Sequence, residues 1–270
     1  VGDSKRKDWE VQLPAANADG KHSFYTDVCD LYKQQVQIVL KKAKSGNLDA
    51  SDLFYGIELT SPSYVANAYN YPENNAIFVL SSQLMPPMFD ASRSDFLNYG
   101  ILGAGTIGHE ITHGFDTTGK LYDKTGVKTE WMAAADGEAF DKLAAKLIAF
   151  FDTQLYGNGY KCNGTKTVGE NIADLGGLNI SYDAFLKQLD KQVITGAERD
   201  RQCREFFRAF AYKRMTNVSD KRTKMYESDE HAFPSLRING NVYQLDEFYR
   251  LFHVKGGSRF IQPADRIVIW

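Results

Sequence analysis

The sequence predicts a predominantly α-helical α+β fold, and three observations carry that prediction. Apolar residues recur at i, i+3, i+4 and i+7 in several long segments. Only one short stretch has the texture of paired strands. The composition, 43% hydrophobic and 24% charged over 270 residues, suits a chain that buries a substantial core in one large unit or two modest ones. A formal net charge of -2 lacks the basic excess of a nucleic-acid binder, so no nucleic-acid partner is expected. No apolar run approaches the roughly 18–20 residues of a spanning helix, so no membrane segment is expected.

The elements follow in chain order. Val28, Leu31, Tyr32, Val36, Val39 and Ala43 give a helix over 26–44, ended by lysines and Gly46. We expect residues 1–63 to form a connecting segment holding this one helix, and 64–270 to form the main domain. Residues 65–70 and 76–80, around a Pro72 turn, read as two strands, the first with the small and polar side chains of an edge strand. Helices are expected over 95–115, 133–155, 168–189, 200–215 and 248–252, with 156–166 a glycine-rich loop. In the second of these, Phe140, Leu143, Ala144, Leu147 and Phe151 mark the buried face. Residues 266–270 read as a terminal strand.

Cys29, Cys162 and Cys203 form no short-spaced pair, and an odd number cannot all pair within the chain. The first residues have neither an initiator methionine nor the apolar core of a signal peptide, so a processed or trimmed chain is expected. The compartment stays open on these grounds. Sequons begin at Asn163, Asn179 and Asn217, against roughly 1–2 expected by chance, and only those in exposed loops could be used.

The segment His109-Glu110-Ile111-Thr112-His113 carries the chemistry. On a helix the two histidines stand one turn apart on one face, so both imidazoles can reach a single zinc ion. Glu110 then lies beside the ion without ligating it, where it can act on a bound water. A catalytic zinc needs a third protein ligand. Glu170 is the candidate, with Asp174 one turn further along the same helix. One carboxylate can ligate while the other takes the free N–H of a ligand histidine. The alternative is that Thr167 and Glu170 form a capping box at a helix start. His231, in a polar loop, could stabilise an oxyanion, and Arg237 could hold a substrate carbonyl or carboxylate. Taken alone, both read more readily as solvated loop residues. His22 and His253 have no motif around them.

Together these residues resemble the neprilysin and endothelin-converting-enzyme family of zinc metallopeptidases. The blocks are NAYN from Asn67, NYG through GHEITHGFD from Asn98 to Asp116, GENIADLGGL from Gly169, FFRAFA from Phe206, the His231 to Gly240 segment, and Ile269-Trp270. The resemblance implies a thermolysin-like catalytic domain with one Zn2+, bound by His109, His113 and Glu170. It further implies Glu110 activating the water, Asp174 orienting a histidine, His231 stabilising the oxyanion, and Arg237, Asn67 and Ala68 holding the peptide. The implied activity is endopeptidase hydrolysis of oligopeptides. The alternative is a catalytically silent relative that binds peptides or a protein.

The chain also departs from the family. Relatives carry an N-terminal lobe that closes over the site, and this sequence lacks it, so a missing lobe of the same precursor is an expected partner. The resemblance implies an extracytoplasmic setting, as a secreted, periplasmic or membrane-anchored ectodomain form. The cysteine found near the C-terminus of animal relatives is replaced near Arg266, which leaves a cytoplasmic setting open. Where mammalian relatives have Met-Val and Val-Trp in the pocket for the residue after the cut, this chain has Gly105-Thr106 and Lys213-Arg214. A roomier, less apolar pocket that tolerates acidic or polar residues is expected.

Overall fold

The computed structural model describes residues 24–46, 64–257 and 260–269. The chain divides into two compact units, Val1–Val65 and Ala66–Trp270. In the first, α1 spans Phe24–Ser45 and ends at Gly46, whose φ of 69° lies in the left-handed region that glycine adopts without strain. His22 lies outside the described residues.

The second unit opens with a hairpin. Strand β1 (Ala68–Tyr71) pairs antiparallel with β2 (Ala76–Val79), and among the described residues β1 has no partner on its other side. Its free edge is the one the small side chains suggested. A helical run follows, made of α2 (Asp95–Asn98), a π-helical stretch over Tyr99–Gly108 and α3 (His109–His113). The expected helix is present, but its middle is wound more loosely. Among soluble folds such widened turns gather at functional sites.

Helix α4 spans Ala134–Asp152 and buries Phe140, Ala144, Leu147 and Phe151, as the periodicity predicts. A minimal ladder joins β3 (Leu155–Tyr156) to β4 (Tyr160–Lys161) inside the segment read as loop. Helix α5, Gly164–Lys191, is the longest element, about 42 Å at 1.5 Å per residue. Its start corrects the sequence reading. Asn163, not Thr167, is the N-cap, its side chain accepting from the Lys166 N–H at 2.9 Å. Thr167 is already within the helix, buried, with its hydroxyl donating to the Asn163 carbonyl.

Helix α6 spans Gly196–Lys213. Two short helices, α7 (Asp220–Met225) and α8 (Pro234–Val242), occupy a stretch for which no helix was expected. Both are too short to display a full hydrophobic period. Proline at the first turn of α8 suits its start, since the missing N–H has no intrahelical partner there. Helix α9 covers Asp246–Leu251. The terminal strand is not formed: a short 3-10 turn at Pro263–Asp265 is followed by extended chain to 269 that pairs with no strand among the described residues. Ile267 is instead buried in the core and donates its N–H to Gln244.

Two apolar clusters flank α5. Phe185, Phe206, Phe210 and Leu189 centre one, and Phe151, Leu147, Ile172 and Leu236 the other. Because α5 supplies residues to both, Glu170 and Asp174 sit on the best-buried rod of the molecule. Helix α3 is brought onto that rod by a glycine crossing. A Cβ on Gly108 would stand 2.7 Å from the Gly177 carbonyl oxygen, and one on Gly177 only 2.5 Å from the His109 nitrogen. All three described cysteines are unpaired, Cys162 and Cys203 buried and Cys29 half-buried.

Candidate metal centre

Helix α3 and helix α5 meet so that three ligand atoms face one point. His109 Nε2 lies 3.1 Å from His113 Nε2 and 3.4 Å from Glu170 Oε2, and His113 Nε2 lies 3.3 Å from Glu170 Oε1. A tetrahedral ion with bonds of about 2.0–2.1 Å has ligand-to-ligand edges of about 3.3 Å. The triangle therefore fits zinc without rearrangement. No other group of this kind occurs among the described residues.

Each histidine presents Nε2 with its Nδ1 turned toward a carboxylate. His113 Nδ1 is 2.7 Å from Asp116 Oδ2, and the other oxygen of Asp116 accepts the N–H groups of Thr118 and Gly119 at 2.7 and 2.8 Å. His109 Nδ1 stands 2.9 Å from Asp174 Oδ1. Asp174 is wholly buried and receives Arg237 Nε at 2.6 Å, Arg237 Nη2 at 2.9 Å and the guanidinium of Arg214. Carboxylates behind ligand histidines fix their tautomer and aim.

Electrostatics follow from this packing. Burial pushes Asp174 up, but Arg214, Arg237 and His109 outweigh it and hold its carboxyl well below the ordinary range. Burial likewise raises Glu170, and His109, His113 and Arg237 together bring it down. For His113 burial favours the neutral ring, yet Asp116 and Glu170 prevail and lift it to about 10. The cluster thus stabilises positive charge at its centre, as a cation site must.

Glu110 behaves differently. It is buried beside the ligands, and burial raises its pKa despite the pull of His109 and His113. A carboxyl raised in this way is better suited to take and release a proton than a solvated one. Its backbone carbonyl accepts Asn70 Nδ2 at 2.7 Å, which ties β1 to the motif helix.

The remaining predicted residues line a cleft of about 840 Å³ above this floor. Ala68 is buried at the start of the free-edged strand and Asn67, just before it, is exposed, with its carbonyl accepting the Leu80 N–H. His231 is part-exposed, with Nε2 3.2 Å from Glu170 Oε2 and Nδ1 2.9 Å from Asp229 Oδ1. Arg237 stands on α8 with Nε and Nη2 committed to Asp174 and Glu170. Eight of the nine predicted residues line one cleft, and the ninth, Asp174, is buried behind His109. Sequence reasoning missed Asp116, although its place three residues after His113 was a readable signal. It also missed Asn70, Asp229 and the role of Arg214, which depend on contacts remote in sequence or within a loop.

The expected extra room in the pocket is not there. A Cβ on Gly105 would fall 2.5 Å from Lys213 Cδ and 3.0 Å from Arg214 Nη1, so the space that Gly105 leaves is filled by those two side chains.

Comparison with known proteins agrees with this architecture. Residues 67–267 match Peptidase family M13. Neprilysin-1 of Caenorhabditis elegans is 33% identical over 79% of this chain and 29% of its own length. Endothelin-converting enzyme-like 1 of Homo sapiens is 30% identical over 92% of this chain and 31% of its own. The Mycobacterium tuberculosis zinc metalloprotease ZMP1, solved with an inhibitor, superposes with a TM-score of 0.70 at 32% identity, covering 77% of this chain and 33% of that one. The chain thus spans about three-tenths of the length of these curated relatives. Zinc is the cofactor that this family and the His-His-Glu group require. With a family match across most of its length and that group at its centre, the chain belongs to peptidase family M13, the neprilysin and endothelin-converting-enzyme family of zinc metallopeptidases.

Proposed function

We propose that this chain is the catalytic part of a zinc endopeptidase that hydrolyses peptide bonds in oligopeptides. The observation that carries this is the zinc-sized triangle of His109, His113 and Glu170 with the buried Glu110 adjoining it. Zinc held there supplies Lewis acidity, polarising the scissile carbonyl and lowering the pKa of water. Glu110 takes the proton from the attacking water and passes it to the leaving amine, a round trip suited to its raised pKa.

His231 donates from Nε2 to the carbonyl oxygen as negative charge grows on it. Its Nδ1 stands 2.9 Å from Asp229 Oδ1, which holds the ring in place. Asp174 keeps the His109 ring aimed, and Arg237 presents its uncommitted Nη1 to the substrate backbone. The free edge of β1 at Asn67 and Ala68 takes the peptide as an added strand. A lobe outside this sequence completes the cleft, a reading that the length ratio of the relatives supports. An extracytoplasmic setting accompanies it, and cell fractionation tests that.

The decisive measurement is zinc content together with hydrolysis of a quenched oligopeptide, repeated on an intact folded protein to test the size limit set by the lobe. Glu110→Gln should keep its zinc and lose about 100-fold or more in kcat, the contribution of a general base. Zinc without hydrolysis in either protein would favour a peptide-binding module, and no zinc would overturn both readings.

A further inference from the structure

Four cations line the cleft: Lys166, which is exposed, and three others, two of which are neutralised. Arg214 pairs with Asp174, and Arg237 with Asp174 and Glu170. Lys213 differs. Its ammonium donates to Gln83 Oε1 at 3.1 Å and to the Thr106 hydroxyl, both neutral oxygens, and among the described residues it enters no ion pair. Two of its three N–H groups are thereby used, and one remains with a whole unit of charge. A part-buried cation without an anion is a costly arrangement that a carboxylate from outside would relieve.

The seat of this ammonium is built for it. Gly105 is the residue that lets the lysine stem cross the helical run, since a Cβ there would overlap Lys213 Cδ. Thr106 lies four residues before Glu110 on the same run, so the ammonium stands about one turn from the general base. Burial, then Arg214 and Arg237, lower Lys213 to about 8, which leaves it mostly charged at neutral pH.

We propose that Lys213 selects peptides with an aspartate or glutamate at the residue after the scissile bond, its ammonium pairing with that side-chain carboxylate. This rests on the peptidase reading above. A lysine that only braced Gln83 and Thr106, or only tuned Glu110, would affect all peptides alike. A specificity residue changes the ratio between them.

The test uses zinc-loaded full chain and two quenched peptides that differ only in Glu or Leu at that residue. Wild type should favour Glu by roughly tenfold in kcat/KM, the scale of one charged hydrogen bond. Lys213→Met should erase or reverse that ratio, chiefly through KM on the Glu peptide, while Lys213→Arg keeps it. A wild-type preference for Leu would overturn the proposal without recourse to any variant, and so would an unchanged ratio in a folded Lys213→Met protein. Should wild type cleave neither peptide, the peptidase reading fails. The Kd ratio of the same pair on zinc-loaded Glu110→Gln then judges Lys213 by itself, with equal binding counting against it.

Discussion

The two histidines of the centre are held by opposite strategies. His113 is aimed by Asp116, three residues away, whose second oxygen is fixed by backbone N–H groups of the following turn. That support is local and folds with its own loop. His109 is aimed by Asp174 from another helix, and Asp174 is itself clamped by Arg214 on the turn after α6 and Arg237 on α8. The second support exists only when four elements are packed. One ligand is therefore a property of a sequence segment and the other of the tertiary structure.

This contrast is broken most directly by Asp174→Asn. Removing the anion leaves the buried Arg214 guanidinium uncompensated and Arg237 with Glu170 alone, for which a loss of about 3–5 kcal/mol is expected, along with most of the zinc affinity. Thermal unfolding and zinc stoichiometry would register both. The pH dependence has a definite sign. The folded-state pKa of Asp174 is depressed, so its stabilisation is complete above the unfolded value of about 3.9 and is lost as pH falls through the folded one. Acid unfolding of wild type should accordingly be steeper below about pH 4 than that of Asp174→Asn.

Asp116→Asn should act more narrowly. Zinc affinity falls about 10–100-fold, read by competition with a chromogenic chelator, with little change in the melting of the metal-free protein. A stability loss as large as that of Asp174→Asn would erase the distinction between local and assembled support. The smallest effect belongs to Asn163→Ala, about 1 kcal/mol for a lost N-cap, with zinc affinity unchanged. Equal loss from Thr167→Ala by removal of a cap would contradict the observed helix start.

The same contrast explains what was legible in the sequence. His109, Glu110 and His113 are set by helical spacing alone, and so is the pairing of Glu170 with Asp174 on one face. The amphipathic faces of α4 and α5 were likewise visible as periodicity. The capping-box reading of Thr167 had the right residue types, yet Asn163 four residues earlier won the helix start because the chain there is anchored by Gly164 N–H on Asp152. Helices α7 and α8 hold too few turns to show a period. The loosened winding over Tyr99–Gly108 lies closely against α5 and α6, contacts that no local pattern encodes. Arg214 read as added pocket charge, but it spends that charge on a carboxylate 40 residues away.

Helix α5 ends as the shared wall of both apolar clusters and the bearer of Glu170 and Asp174. Metal occupancy and cooperativity are consequently one linked quantity in this molecule. Zinc bound across α3 and α5 would fasten the motif helix to the rod that both clusters share, and each tenfold rise in free zinc above its dissociation constant would add about 1.4 kcal/mol to the folded state. Chelation should loosen both clusters together, so hydrogen exchange in Phe151 and Phe206, far apart in sequence, would respond to the same ion.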